Sequence, residues 1–218
     1  AHMKNAEKEF GLVRMGGTIG WILAAWPLFF LLEGKTGAAA TTAKANIFLV
    51  AGIASLILAA YSLTLPHTPP KRAAGAGGFA WLKAASFLTK PYLLVLFVVT
   101  FIDSVIHNGY FLLAGNFLGD KNAAAIAQQW IMPVMSIGQV AEIATMAVLG
   151  GVLARLGWKT TMILGILGHA ARFAVFAFMP QNQFMIIVVQ VLHGVCYAFF
   201  FATLYIFIDA AFPKDVRS

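Results

Sequence analysis

Residues 91–115 read PYLLVLFVVTFIDSVIHNGYFLLAG, a run whose only formal charge is Asp103 and which contains no proline after Pro91. As an α-helix rising about 1.5 Å per residue, it is long enough to cross the ~30 Å hydrocarbon core of a bilayer. In water such a helix would have almost nothing polar to present. In lipid it needs nothing polar, because every backbone donor and acceptor is satisfied inside the helix. Five further runs share this character, at approximately 12–32, 46–65, 126–153, 159–179 and 184–212. The expected fold class is therefore all-α, a polytopic membrane helical bundle with six transmembrane helices in this chain.

Composition points the same way. Of 218 residues, 61% are hydrophobic and 11% charged, against roughly 25% charged in soluble domains. The formal charge of +7 raises nucleic acid as a partner, but the basic residues are not interleaved with stacking aromatics on a polar face, so no nucleic-acid contact is expected. They sit in the connections instead. Lys4 and Lys8 of the leader, Lys71, Arg72, Lys83 and Lys90 of the segment 66–90, Arg155 and Lys159, and Lys214 and Arg217 of the tail fall on one side. Lys35, Lys44 and Lys121 fall on the other, and Arg14 and Arg172 lie within helices. By the positive-inside rule the leader, the loop 66–90 and the tail are cytoplasmic in a multi-pass protein of the cell (inner) membrane.

The first apolar run lacks a small-residue cleavage site and reads as a span rather than a signal peptide. Ala1-His2-Met3 reads as a cloning scar or as the edge of a longer chain. Segment 66–90 begins Pro66-His67-Thr68-Pro69-Pro70 and continues through Gly75, Gly77 and Gly78, so it ends the preceding helix. Trp81, Leu82 and Phe87 among Lys and Ala suggest an amphipathic surface helix over 79–87. The loop divides the chain into two spans (1–65) and four (91–218).

Charged groups at bilayer depth cost at least ~2.5–3.5 kcal/mol each on insertion scales, so those retained there are candidates for function. Arg14 opens the first run. Asp103 and His107 lie one turn apart in the third, followed by Tyr110; Gln139 and Glu142 share a face of the fourth; Arg172 is in the fifth; His193 and Tyr197 share a face of the sixth. Converging on a central chamber, these pairs would offer a polar solute an amide, a carboxylate, two imidazoles and two phenols. Structural alternatives exist for each: the histidines as helix-to-helix hydrogen-bond partners, Asp103 and Arg172 as a purely structural pair, and Asp209 as an interfacial residue. No metal or cofactor is expected, because His-x-x-x-His, Glu-x-x-His and Cys/His clusters are all missing, and the lone Cys196 lies in an apolar stretch. Without a Gly-x-Ser-x-Gly elbow or a phosphate-binding loop, no enzymatic activity is expected either.

The run Glu9-Phe10-Gly11-Leu12-Val13-Arg14-Met15-Gly16-Gly17-Thr18-Ile19-Gly20-Trp21-Ile22 resembles the start of the fifth transmembrane helix of bacterial nucleoside permeases, the nucleoside:proton symporter family of the major facilitator superfamily. Thr64-Leu65-Pro66-His67-Thr68-Pro69 is similar to the exit from that family's sixth helix. Met135-Ser136-Ile137-Gly138-Gln139-Val140-Ala141-Glu142 is similar to its eighth, and Ala170-Ala171-Arg172-Phe173-Ala174 to its ninth. Residues 150–159 resemble the short basic turn of major facilitators, without its acidic member.

The resemblance implies helices five to ten of an expected twelve, with loop 66–90 joining the two bundles, and nucleoside transport by alternating access. Residue by residue it implies Arg14, Thr18 and Trp21 on the fifth helix, Gln139 and Glu142 on the eighth, and His193 with Tyr197 on the tenth as substrate-binding positions. His107 and Tyr110 stand where the family has side-chain amides. Ala198 stands where it has an acid, which leaves Glu142, His107 and His193 as the proton-coupling candidates. Two other functions fit the same residues: transport of another polar solute such as a sugar, and a membrane receptor or scaffold without transport.

Overall fold

The computed structural model describes residues 6–67 and 85–212. Its α-helices in chain order are α1 (Ala6–Leu32), α2 (Gly37–Ser62), α3 (Pro91–Gly119), α4 (Ile131–Phe178), α5 (Gln183–Val188), α6 (Val191–Cys196) and α7 (Thr203–Ala211). Pro91 occupies the first turn of α3, where a residue without an N–H costs nothing. Among the described residues five stretches are long and apolar enough to cross a membrane, and the one over Gln128–Phe178 has 51 residues. At 1.5 Å per residue that is more than twice a bilayer core. Gly157, at φ 71° and ψ 172°, divides α4 into a first arm and a second arm, which brings the crossings to six.

The directions follow from which residues meet. Gly138 abuts Gln190 and His193, and Met146 and Leu149 cluster with Ala198 and Ala202, so the first arm runs parallel to the last crossing. Gly168 abuts Cys196 and Gly165 abuts Phe200, so the second arm runs antiparallel to it. A chain reversal at Gly157 is the only way to satisfy both. Because φ there lies in the left-handed region, where an L side chain costs about 1–3 kcal/mol, Gly157→Ala is expected to lower the Tm of the detergent-solubilised protein by about 3–10 °C. Gly151→Ala, in regular helix with nothing near its would-be Cβ, should leave it unchanged.

α1 runs antiparallel to the first arm: Phe29 packs at a tilt on Trp130, with ring centroids 4.9 Å apart, and Thr18 reaches Glu142. α3 runs antiparallel to the last crossing, with Phe87 beside Phe212 at its start and Tyr110 bonded to Gln190 further along. Lys90, the turn of Arg155 and Lys159, and the end of α7 therefore share one end of the bundle. Trp158 and Phe207 pack at 5.3 Å there. At the opposite end, Gln181 bonds the carbonyl of Asn122.

Several boundaries differ from expectation: α1 begins at Ala6 rather than 12, α2 ends at Ser62 rather than 65, and two others shift as follows. α2 begins at Gly37 rather than 46, leaving only 33–36 as a connection. Ala38–Ala40, Ala43 and Ala45 are strong helix formers without being strongly hydrophobic, and the hydroxyls of Thr41 and Thr42 bond back to the carbonyls of Gly37 and Ala38. α3 continues to Gly119, four residues past the expected end. The surface helix expected over 79–87 lies largely outside the described residues, as do Lys4, Lys71, Arg72, Lys83, Lys214 and Arg217; Phe87–Thr89 form one 3-10 turn. α2 packs least within this chain: only Ala43 is buried, whereas Phe48, Leu56 and Leu58 are 80%, 73% and 66% exposed.

The last crossing is irregular where it matters. Between α5 and α6, bonds from Gln190 N to Ile187 O, Leu192 N to Val189 O and His193 N to Gln190 O tighten the helix. From Tyr197 to Ala202 it widens into a π-helical turn. A tight and a wide turn so close together offset the side chains that follow from an ideal helical stripe, and such wide turns gather at functional sites.

Candidate solute site

Arg14 sits on α1 with its guanidinium directed at the last crossing. Its Nε and Nη2 donate to the Tyr197 hydroxyl at 3.0 and 2.7 Å, and Cζ lies 4.8 Å from the ring centroid. One turn along α1, Thr18 donates to Glu142 Oε1 at 2.7 Å, with Arg14 Nη2 at 3.9 Å from the same oxygen. The carboxylate is thus countered by a cation and a hydroxyl, both from α1. A buried charge so placed is tolerable only with such partners.

A second group is contiguous with the first. His107 lies 5.5 Å from the Tyr197 ring and stacks on His193, with centroids 5.4 Å apart and planes 14° from parallel. Arg172 Nη1 lies 3.1 Å from His193 Nδ1, and His193 Nε2 is 3.0 Å from the Gln139 amide. Arginine only donates, so His193 Nδ1 accepts and the ring hydrogen sits on Nε2; the Gln139 atom placed against it is Nε2, and turning that side-chain amide over brings its oxygen into place to accept. Arg172 also stands over the Tyr110 ring, 3.5 Å from its centroid, and donates to Gln190 Oε1 at 3.4 Å; Tyr110 donates to the same oxygen at 2.9 Å.

All nine residues singled out from the sequence fall in or against this patch. Trp21 does so through apolar packing on the cluster that contains Tyr110 and Met135. The expectation of a lined chamber needs amendment. Thr18, Gln139, Glu142 and His193 are each no more than 5% exposed, because their polar atoms bond to one another across the helices. Arg14, Trp21, His107 and Tyr197 are half-buried and form the reachable rim. Two apolar clefts flank the patch, one of about 640 Å³ near Leu96, Trp158 and Phe200, the other of about 450 Å³ near Tyr110, Leu113 and Phe176.

The suggested pair of Asp103 with Arg172 does not form. Asp103 Oδ1 instead meets His169 Nδ1 at 2.8 Å. α3 and the second arm run parallel, so residue 103 is level with 169, while Arg172, nearly a turn beyond, turns its guanidinium onto the Tyr110 ring. Two polar residues were missed in the sequence: Gln190, bonded within the cluster, and His169, which lies beside it against His107. Each lies three residues before a residue that was noticed, Arg172 and His193, and that spacing was the available signal. Ala198 is fully buried against Met146 and Leu149, so that position offers only apolar contact.

The decisive comparison is with a family model described as nucleoside H+ symporter, which matches residues 1–218. The chain belongs to that family. Among curated relatives of this symporter-family chain, the putative nucleoside transporter YegT of Escherichia coli (strain K12) is 29% identical, over all of this chain and 51% of its own length. The nucleoside permease NupG of the same organism is 24% identical, over 96% of this chain and 51% of its own length. The chain thus spans about half the length of the curated relatives it matches. A crystal structure of the nucleoside transporter NupG superposes with a TM-score of 0.75 at 22% identity, covering 98% of this chain and 54% of the other. The symporter family and the helical model agree on the fold, a major facilitator-type multi-pass membrane bundle of which this chain holds a part.

Proposed function

We propose that this chain is the central part of a nucleoside transporter working by alternating access, in which residues 1–65 end the first helical bundle, 66–90 form a cytoplasmic link, and 91–218 begin the second bundle. The carrying observation is the set of hydrogen bonds that crosses the boundary. Arg14 and Thr18, before the link, bond to Tyr197 and Glu142, after it. Two bundles that rock against each other need a junction whose bonds can be exchanged for bonds to a solute. A nucleoside suits the exchange: ribose hydroxyls can replace the Thr18 and Tyr197 hydroxyls at Glu142 and Arg14, and a planar base can stack against the rings of Trp21, His107 or Tyr197.

In this reading Arg14, Thr18, Trp21, His107, Tyr110, Gln139, Glu142, His193 and Tyr197 bind the solute, and a proton is the coupling ion, with Glu142, His107 and His193 the titratable groups beside it. The leader, link and tail face the cytoplasm of a cell with the protein in its inner membrane. In membrane vesicles carrying the full-length protein, tritiated uridine uptake should fall more than ten-fold under excess unlabelled uridine or adenosine. It should be untouched by an equal excess of glucose or xylose. Competition by the sugars alone would move the substrate class, and absence of uptake would favour a receptor or scaffold.

A further inference from the structure

Asp103 and His169 make a buried acid–imidazole pair that no part of the solute site described above requires. They are 4% and 3% exposed, and their contact of 2.8 Å joins α3 to the second arm of α4. Each keeps one polar atom with no partner among the described residues: Asp103 Oδ2 and His169 Nε2. Two neighbours on α3 share that condition, Thr100 Oγ1 one turn before Asp103 and His107 Nδ1 one turn after it, as do Arg172 Nε and Gln190 Nε2 in the adjoining cluster. Four unpartnered polar atoms within two turns of α3 and the facing residue of the second arm are far from the ordinary state of a buried interface, where such groups are nearly always bonded.

We infer that the Asp103–His169 pair is the proton-binding site that couples transport, with His107 as its link to the solute site; this rests on the transport reading above. With Asp103 ionised, its Oδ1 accepts from Nδ1–H of His169, which leaves the free lone pair on Nε2. A proton arriving from water adds there and gives an imidazolium held against the carboxylate. Its departure restores the neutral ring, and no other bond is made or broken. The His107 ring lies 5.9 Å from the His169 ring and 5.4 Å from that of His193, so it stands between the pair and the residues around Tyr197.

The other titratable groups of the neighbourhood are differently employed. On the second arm, both terminal nitrogens of Arg172 are committed, to His193 and Gln190, with the guanidinium over Tyr110; its Nε is a donor and offers no lone pair to a proton. On the last crossing, His193 has both ring nitrogens engaged, and the Cys196 thiol packs against Gly168. On the far side, Glu142 is held by Thr18 and Arg14 of α1. With Ala198 supplying no acid, Asp103–His169 is the pair here with both an acid and an open lone pair.

The test is reconstitution of the full-length protein in liposomes with tritiated uridine and tritiated adenosine, run separately. Counterflow, which exchanges solute for solute without a gradient, is compared with accumulation driven by an inwardly directed pH gradient. Asp103→Asn and His169→Gln are each expected to lose at least ten-fold of gradient-driven accumulation, to keep counterflow within about two-fold, and to abolish the alkalinisation seen by an external pH dye. Asp103→Glu should recover part of the accumulation. Gradient-driven accumulation retained in Asp103→Asn overturns the assignment while leaving the transporter reading intact, and so does joint loss of both activities in Asp103→Asn, His169→Gln and Asp103→Glu alike, which marks the pair as structural. An unmutated protein that exchanges neither nucleoside overturns the transport reading and this site with it.

Discussion

Glu142→Gln is expected to lower nucleoside uptake at sub-saturating concentration by about 10- to 100-fold, with the protein still reaching the membrane at its normal level. The amide has the size of the carboxyl and can still accept the Thr18 hydroxyl bond through its oxygen, so packing between α1 and α4 is kept. What disappears is the negative charge beside Arg14. A hydrogen bond to a charged group is worth about 1.5–3 kcal/mol, and each ~1.4 kcal/mol is ten-fold in affinity. Loss of one such bond to a ribose hydroxyl therefore accounts for the expected range. Initial rates of tritiated uridine uptake, normalised to protein by immunoblot, measure it; a rate within two-fold of the unmutated protein would assign Glu142 to holding α1 against α4 rather than to the solute.

How far the sequence disclosed this arrangement varies with the kind of information needed. The membrane class and the six crossings follow from runs such as 91–115, because transfer of a helix into lipid depends on composition and length, which are local. The boundary between the arms of α4 was legible for the same reason: Arg155 to Lys159 interrupts the apolar pattern, and Gly157 accepts the backbone angles of a reversal. The start of α2 was not, since alanine and threonine score as weakly apolar while forming good helix. Within the site, spacing along one helix found Gln139 with Glu142 and His193 with Tyr197. It did not reveal that Asp103 would choose His169 over Arg172, because that depends on the register between α3 and the second arm. Register is a property of two helices, and the glycines that mark close approach, Gly138, Gly165, Gly168 and Gly194, seat the two arms of α4 against the last crossing and not against α3.

Gly194→Val is expected to abolish accumulation of folded protein, the largest effect foreseen for a residue that touches no solute. A Cβ at Gly194 would collide with the backbone of Ala141 and Glu142, and backbone in the middle of a helix cannot step aside as a side-chain tip can. Close approach through small residues is how membrane helices gain contact without a hydrophobic driving force. The contact also sets the site, because Gly194 follows His193 and faces the residue pair that ends in Glu142. Overpacking a tight contact usually costs about 1–3 kcal/mol, and a branched side chain against two peptide groups belongs at or beyond the upper end. Fluorescence-detected size-exclusion chromatography should show the peak lost in Gly194→Val and reduced in Gly194→Ala, while Gly150→Ala, which meets nothing, elutes normally. A normal peak for Gly194→Val would mean that the first arm and the last crossing stand further apart than their glycines imply, and the hydrogen bond between Gln139 and His193 would have to be redrawn with them.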